Sequence, residues 1–426
     1  MPPLIAEKIF VTIYILLVPL SFFYFYKAVD KRLWFFGFLG FLFSYNVLFH
    51  LGFYNFALSV PLYFFILGYW WKNRESLLWR EGLILNGLLV FTYFSHLFSF
   101  ALALLSISLL AFFSAILVCS EYKSIKERFW MFALSILWLV PSYVILLLNI
   151  LLNPEEKVKT YTPLKELWNY FISIKSLVYF NDKYVIVSRV LLVFMALCFL
   201  STIFIMIWSI IGKKGKIKDI IFNQRFGFLI LFGVVTALYF KIPWAYGPPA
   251  WLNDRANLFI FPILTAWFAF SYPKWLKVGM IAIIVILSLW HLSLTIYDYN
   301  LLNKDMKEFT SGVGLIEDDS AISILTNDYF FAPNHGTLKY LSPFFHDTCY
   351  YCFGNGSHYV ANYEPKYVYF PLRYREGYWK FEYKGIIDYV LVWGMDDNSA
   401  EVMQLKADYD LIHSTENMRL FKHKSF

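Results

Sequence analysis

Residues 82–119 read GLILNGLLVFTYFSHLFSFALALLSISLLAFFSAILVC, 38 residues without one charged side chain. A helix rises ~1.5 Å per residue and about 20 residues cross a bilayer core, so the stretch is too long for one crossing and fits two. Ser95-His96 falls near its middle and marks the corner. The rest of the chain has the same character: 59% hydrophobic, 22% aromatic and only 16% charged residues, a composition that excludes a water-soluble domain and describes a polytopic membrane protein. Residues 33–71 are also too long for one helix and break around His50 to Asn55. Apolar runs near 9–26, 33–49, 55–71, 82–95, 97–118, 129–152, 185–211, 226–242, 256–271 and 277–297 predict an all-α bundle of about ten transmembrane helices over residues 1–298.

Lys and Arg retained in short cytoplasmic loops orient the bundle. Every second loop is basic: Lys27, Lys31 and Arg32; Lys72, Arg74 and Arg80; Lys123, Lys126 and Arg128; Lys213 to Arg225; Lys274 and Lys277. The loops at His50, His96 and Trp244 to Asp254 are poorer in positive charge. The segment 153–184 has five Lys, largely offset by Glu155, Glu156, Glu166 and Asp182. Both termini are therefore expected outside a cell membrane. The net charge of +7 reflects the inner loops and does not argue for nucleic acid.

After Tyr297 the composition turns soluble. Helix-like spacing over 301–316, strand-like runs at Ala321 to Leu325, Tyr367 to Phe370, Asp388 to Trp393, Tyr409 to His413 and Met418 to Phe421, and a helix at Ala400 to Ala407 predict a small extracytoplasmic α/β domain at 299–426. It serves either acceptor recognition or as a packing cap. Cys119 and Cys198 read as small apolar residues of the spans. Cys349 and Cys352 form Cys-Tyr-Tyr-Cys, a disulfide candidate in an oxidising compartment; free thiols, or redox or metal chemistry with His346 and His358, are the other readings. Asn355-Gly356-Ser357 matches a glycan acceptor.

Ionisable groups at membrane depth are costly, so those at the outer helix ends are the candidate site. His50 and His96 open similar corners 46 residues apart, each read either as a helix-end residue or as a substrate contact. Asn55 follows the first corner. The Pro- and Gly-containing segment after Lys241 leads to Asn253-Asp254-Arg255, where Arg255 is suited to hold a phosphate through paired hydrogen bonds or to act as an interfacial anchor. Arg189, four residues into its span, has the same two readings.

The His50-Leu51-Gly52-Phe53-Tyr54-Asn55-Phe56 corner, the Tyr93-Phe94-Ser95-His96 corner, the Pro and Asp254-Arg255 segment before a late span, and the terminal α/β domain together resemble the C-type membrane glycosyltransferase superfamily. The resemblance covers most of the chain by layout. It implies transfer of a sugar from a polyprenyl-phosphate carrier, with membrane lipid around it, to an acceptor on the outer face. A carboxylate would take the acceptor proton while cations stabilise the departing lipid phosphate, and a divalent cation is compatible with that chemistry. Members usually carry an acidic motif in a first outer loop after an N-terminal helix. Here the outer-facing start offers only Glu7, with Asp254 as the alternative acid; either the short tail is simply translocated or, the preferred reading, the chain lacks an upstream helix and acid that relatives possess. A transporter or flippase, with a midplane site on interrupted helices, and a non-catalytic scaffold for surface glycan assembly are the competing classes.

Overall fold

The computed structural model describes residues 3–117, 124–152, 158–211, 225–246, 250–268, 272–361 and 386–425. The chain divides into two compact units, Met1–Leu292 and Ser293–Phe426.

The first unit begins with α1 (Pro3–Val29) and a 3-10 helix (Lys31–Phe38), whose start is capped by Asp30 accepting from the Arg32 backbone N–H at 2.8 Å. Next come α2 (Leu39–Ser44), α3 (Val47–His50), α4 (Tyr54–Asn73), α5 (Trp79–Ser95), α6 (Leu97–Leu117) and α7 (Ile125–Leu152). A short strand β1 (Lys159–Thr160), helix α8 (Leu164–Ile172) and a 3-10 turn (Lys175–Leu177) lead into α9 (Asp182–Ile211). Then follow α10 (Phe226–Lys241), β2 (Ala245–Tyr246), α11 (Leu252–Trp267) and α12 (Lys274–Phe309), which runs on into the second unit.

Among the described residues six helical segments are long and apolar enough to cross a membrane: Leu4–Val29, Lys31–His50, Leu97–Ile116, Lys126–Leu152, Asp182–Ile211 and Lys274–Leu315. By that measure this is a membrane protein. The segments expected at 55–71, 82–95, 226–242 and 256–271 are helical too, as α4, α5, α10 and α11, but are shorter or less apolar. The run expected as one helix over 33–49 is broken. Its first part is 3-10, and Asn46 interrupts it by accepting from the Phe49 N–H at 3.0 Å, which starts a new helix.

The corner expected at Ser95-His96 is present. His96 is extended (φ −165°, ψ 126°), its N–H closes α5 on the Thr92 carbonyl at 2.7 Å, and its Nδ1 accepts from the Phe98 N–H at 3.1 Å to cap α6. Between apolar helices in lipid, association rests on close packing and hydrogen bonds, the latter averaging about 0.6 kcal/mol each. Ser59 and Ser99 meet at 2.6 Å, Tyr63 and Ser106 at 2.8 Å, and the Tyr26 hydroxyl reaches the Pro262 carbonyl at 3.1 Å. Helix α11 is buried along its length from Asn253 to Trp267, so its first turn is held by neighbours on every side.

The second unit holds β3 (Ala321–Leu325), β4 (Phe331–Ala332), β5 (Gly336–Thr337), β6 (His358–Tyr359), β7 (Tyr389–Trp393), α13 (Ala400–Asp408), β8 (Tyr409–Ser414) and β9 (Met418–His423). Its main sheet has the order β6-β3-β7-β9-β8, parallel about β3 and antiparallel from β7 onward. Val390, Val392, Met395, Val402 and Phe421 form a core under α13. Four of the strand-like runs are β3, β7, β8 and β9 of this sheet, and the fifth strand, β6, is only two residues long and carries no alternating signal. The strand expected at Tyr367 to Phe370 lies outside the described residues.

Candidate functional site

Arg255 sits in the first turn of α11, only 6% exposed. Its guanidinium lies 5.3 Å from the centre of the Phe53 ring and 5.5 Å from that of Phe56. Among the described residues its side chain makes no ion pair and no hydrogen bond, and its Nε is buried without an acceptor. Aromatic faces return part of the cost of burying a cation but supply no lone pair. The Phe wall is built by the His50 to Phe56 corner: Gly52 takes φ +78°, the Gly52 N–H reaches the Phe49 carbonyl at 3.0 Å, and the Phe53 N–H reaches the Leu48 carbonyl at 3.1 Å. The imidazole of His96 packs edge-on against Phe56, ring centres 5.1 Å apart. Two expected site residues, His96 and Arg255, thus flank one phenylalanine.

Asp254 points elsewhere. Its carboxylate, 4% exposed, pairs with Lys175 at 3.3 Å and not with its neighbour Arg255. The Lys175 ammonium also lies 3.8 Å from the Tyr170 ring centre and 5.4 Å from that of Trp251. Burial and the Glu166 carboxylate hold the Tyr170 phenol protonated, above its ordinary range. Asn253 donates to the Tyr239 and Ile242 carbonyls at 2.7 and 3.2 Å, tying the end of α10 to the start of α11. Asn257 accepts from the Ser176 hydroxyl at 2.8 Å. Yet among the described residues Asn253 Oδ1 and Asn257 Nδ2 are buried with no hydrogen-bond partner, as is Arg255 Nε between them in the chain. On a helix the two asparagines share one face and Arg255 projects from roughly the opposite one, so the three do not converge on a single spot.

His50 belongs to a second cluster. Its Nδ1 meets the Asn46 carbonyl at 2.7 Å, and its ring stacks on Tyr179 at 3.9 Å and 18°. The Tyr179 hydroxyl in turn meets His291 Nε2 at 3.2 Å. Glu7 accepts from the Tyr54 hydroxyl at 2.7 Å, beside the Phe53 wall in sequence. Asn55 is exposed and spends its Oδ1 on the Phe56 N–H at 2.8 Å. Lys241 is exposed at the end of α10, and Arg189 is exposed on α9, with no contact to the Arg255 cluster among the described residues.

Cys349 and Cys352 lie in one 3-10 turn, Asp347–Cys352, and both are free thiols, so the disulfide expected between them is not formed. Burial pushes both thiols up, Cys352 to about 12, with the Asp347 carboxylate adding to the effect on Cys349. That is opposite to the depressed pKa a redox thiol needs. Among the described residues no three His, Cys, Asp or Glu side chains gather as metal ligands.

Sequence reading missed Lys175, His291, Tyr170 and Asn257. Lys175 counted only as loop charge, and nothing local announces that its loop folds back over α11. The signal for His291 was a single imidazole inside an apolar run. No family model, no curated protein and no solved structure matches the chain.

Proposed function

We propose that the chain is a multi-pass protein of the cell membrane, with about ten crossings and both termini outside, that binds a polyprenyl-phosphate-linked sugar at Arg255 and transfers the sugar to an acceptor. The observation that carries this reading is a buried guanidinium with aromatic walls and, among the described residues, no ion pair or side-chain hydrogen bond. Arginine there stabilises a phosphate through two parallel charge-assisted hydrogen bonds, and its affinity rises where water is excluded. The aromatic wall of Phe53 and Phe56 suits the apolar start of a lipid chain. The resemblance to C-type glycosyltransferases supplies the reaction class: the sugar bond to phosphate breaks as the acceptor hydroxyl attacks. Glu7, which accepts from the hydroxyl of Tyr54, the residue after Phe53, is the carboxylate that takes the acceptor proton, while Asp254 stays paired with Lys175.

The test is ligand-dependent stability of the purified protein in detergent. Excess polyprenyl phosphate raises the unfolding temperature of the wild type and leaves Arg255→Ala unmoved, while that variant stays folded and monodisperse. An equal response in both proteins overturns the assignment of the phosphate to Arg255.

A further inference from the structure

Lys175 is enclosed by one acid and two aromatic rings. Its ammonium faces the carboxylate of Asp254 at 3.3 Å, the Tyr170 ring at 3.8 Å and the Trp251 ring at 5.4 Å, and Trp251 is itself packed on Trp244 with ring centres 5.5 Å apart. One buried anion and two aromatic faces around a single positive nitrogen is the composition of an aromatic cage for an ammonium group. The cage is open to the outside: Lys175, Tyr170 and Trp251 are each half-buried, while Asp254 at its floor is buried.

The backbone around the cage is strained on both sides. Three non-glycine residues have left-handed backbones among the described residues, and two of them are here: Ile174 at φ +42°, just before Lys175, and Trp251 at φ +63°, just before α11. For a β-branched residue such as Ile174 this region is a genuine outlier. Strain of this kind persists where the surroundings over-determine it and gathers at ligand clamps and switch regions.

We infer that this cage of side chains is a binding site for the ammonium group of an amine-bearing ligand, and that Lys175 is its built-in occupant, displaced when the ligand enters. Exchange of one ammonium for another keeps Asp254 paired throughout, so the buried carboxylate never bears the cost of standing alone. Only the Lys175 side chain leaves, since Ser176, bonded to Asn257 at 2.8 Å, and Leu177 are buried and hold the turn in place. The site is separate from the Arg255 face, and its occupancy does not depend on the phosphate reading.

Two measurements test it on the purified full chain. Lys175→Ala removes a propylammonium fragment, so n-propylammonium chloride, against sodium chloride at equal ionic strength, produces a saturable rise in the unfolding temperature of this variant. Half-saturation falls at least tenfold lower than in the wild type, and the response disappears in Lys175→Ala with Asp254→Asn but persists in Lys175→Ala with Arg255→Ala. In the wild type, tetramethylammonium, which cannot be acylated, increases acylation of Lys175 by N-hydroxysuccinimide acetate severalfold while other exposed lysines such as Lys165 and Lys183 are unchanged. This arm requires no variant to fold. The same labelling in phosphatidylethanolamine nanodiscs against phosphatidylglycerol nanodiscs separates a lipid headgroup from a soluble amine. Unchanged Lys175 labelling with tetramethylammonium, or a propylammonium response that survives Asp254→Asn, overturns the inference and leaves the pair as a fixed strut.

Discussion

Replacing Arg255 by Met should stabilise the protein while abolishing its ligand response. Burying an ion costs several kcal/mol even after relaxation and water penetration. Two ring faces within 6 Å return roughly 0.5–1 kcal/mol each, and with 6% exposure and no hydrogen-bond acceptor among the described residues the side chain has only the adjacent, Lys175-paired Asp254 carboxylate to offset the rest. Met keeps most of the volume and removes the charge, so the difference leaves the variant roughly 1–2 kcal/mol more stable than the unliganded wild type. Binding reverses the order: a ligand at a hundred times its Kd contributes about 2.7 kcal/mol to the wild type alone. The assay is unfolding in mixed micelles, followed by tryptophan fluorescence, with and without polyprenyl phosphate. The expected result is a crossing: Met above wild type without ligand, below it with ligand. A Met variant less stable than wild type by 1 kcal/mol or more without ligand would refute the reasoning, because Arg255 would then be a structural residue whose burial is satisfied.

Further outcomes follow from other contacts. His96→Ala removes the cap of α6 and costs about 0.5–2 kcal/mol, whereas His96→Asn keeps the cap; loss of phosphate response in both, with stability restored only in Asn, separates the ligand role from the corner. A Cβ on Gly40 would stand 2.4 Å from the Pro19 Cα, a backbone atom that cannot rotate aside, so Gly40→Ala lowers stability by about 1–3 kcal/mol in the same micelle assay. The Cys352 thiol, pushed up to about 12, reacts slowly with iodoacetamide at pH 8 and faster as pH rises; rapid alkylation at pH 7 contradicts its burial. The sign for stability follows. A folded pKa above the unfolded value of about 8.5 means the folded C-terminal unit holds the protons of Cys349 and Cys352 more tightly, so stability is lost as pH climbs above that value.

Much of the fold was legible because the signals are local. The charge-free run 82–119 split at the residue where its two helices meet, since His96 both ends one helix and begins the next. Apolar length located helices at the segments read as spans, and alternation located β3, β7, β8 and β9. The misses have physical causes of the same kind. Asn46 breaks the second run because a short polar side chain competes for the backbone N–H groups of the following turn. Helix α12 continues past residue 297 to Phe309 because its polar half contains no Gly or Pro to stop it.

The site was legible only in part. Arg255, Asp254 and His96 stand out as ionisable residues at helix ends in an apolar chain, and that much the sequence determined by itself. It also determined the class of protein and the order of its helices, because hydrophobic length and turn chemistry are properties of neighbours along the chain. Tertiary structure alone decided who pairs with whom: that Asp254 takes Lys175, 79 positions earlier, in place of the adjacent Arg255, that Arg255 is left facing Phe53 and Phe56, and that His50 joins Tyr179 and His291. Charge pairing and desolvation depend on distance and burial in three dimensions, and neither is encoded in spacing along the chain.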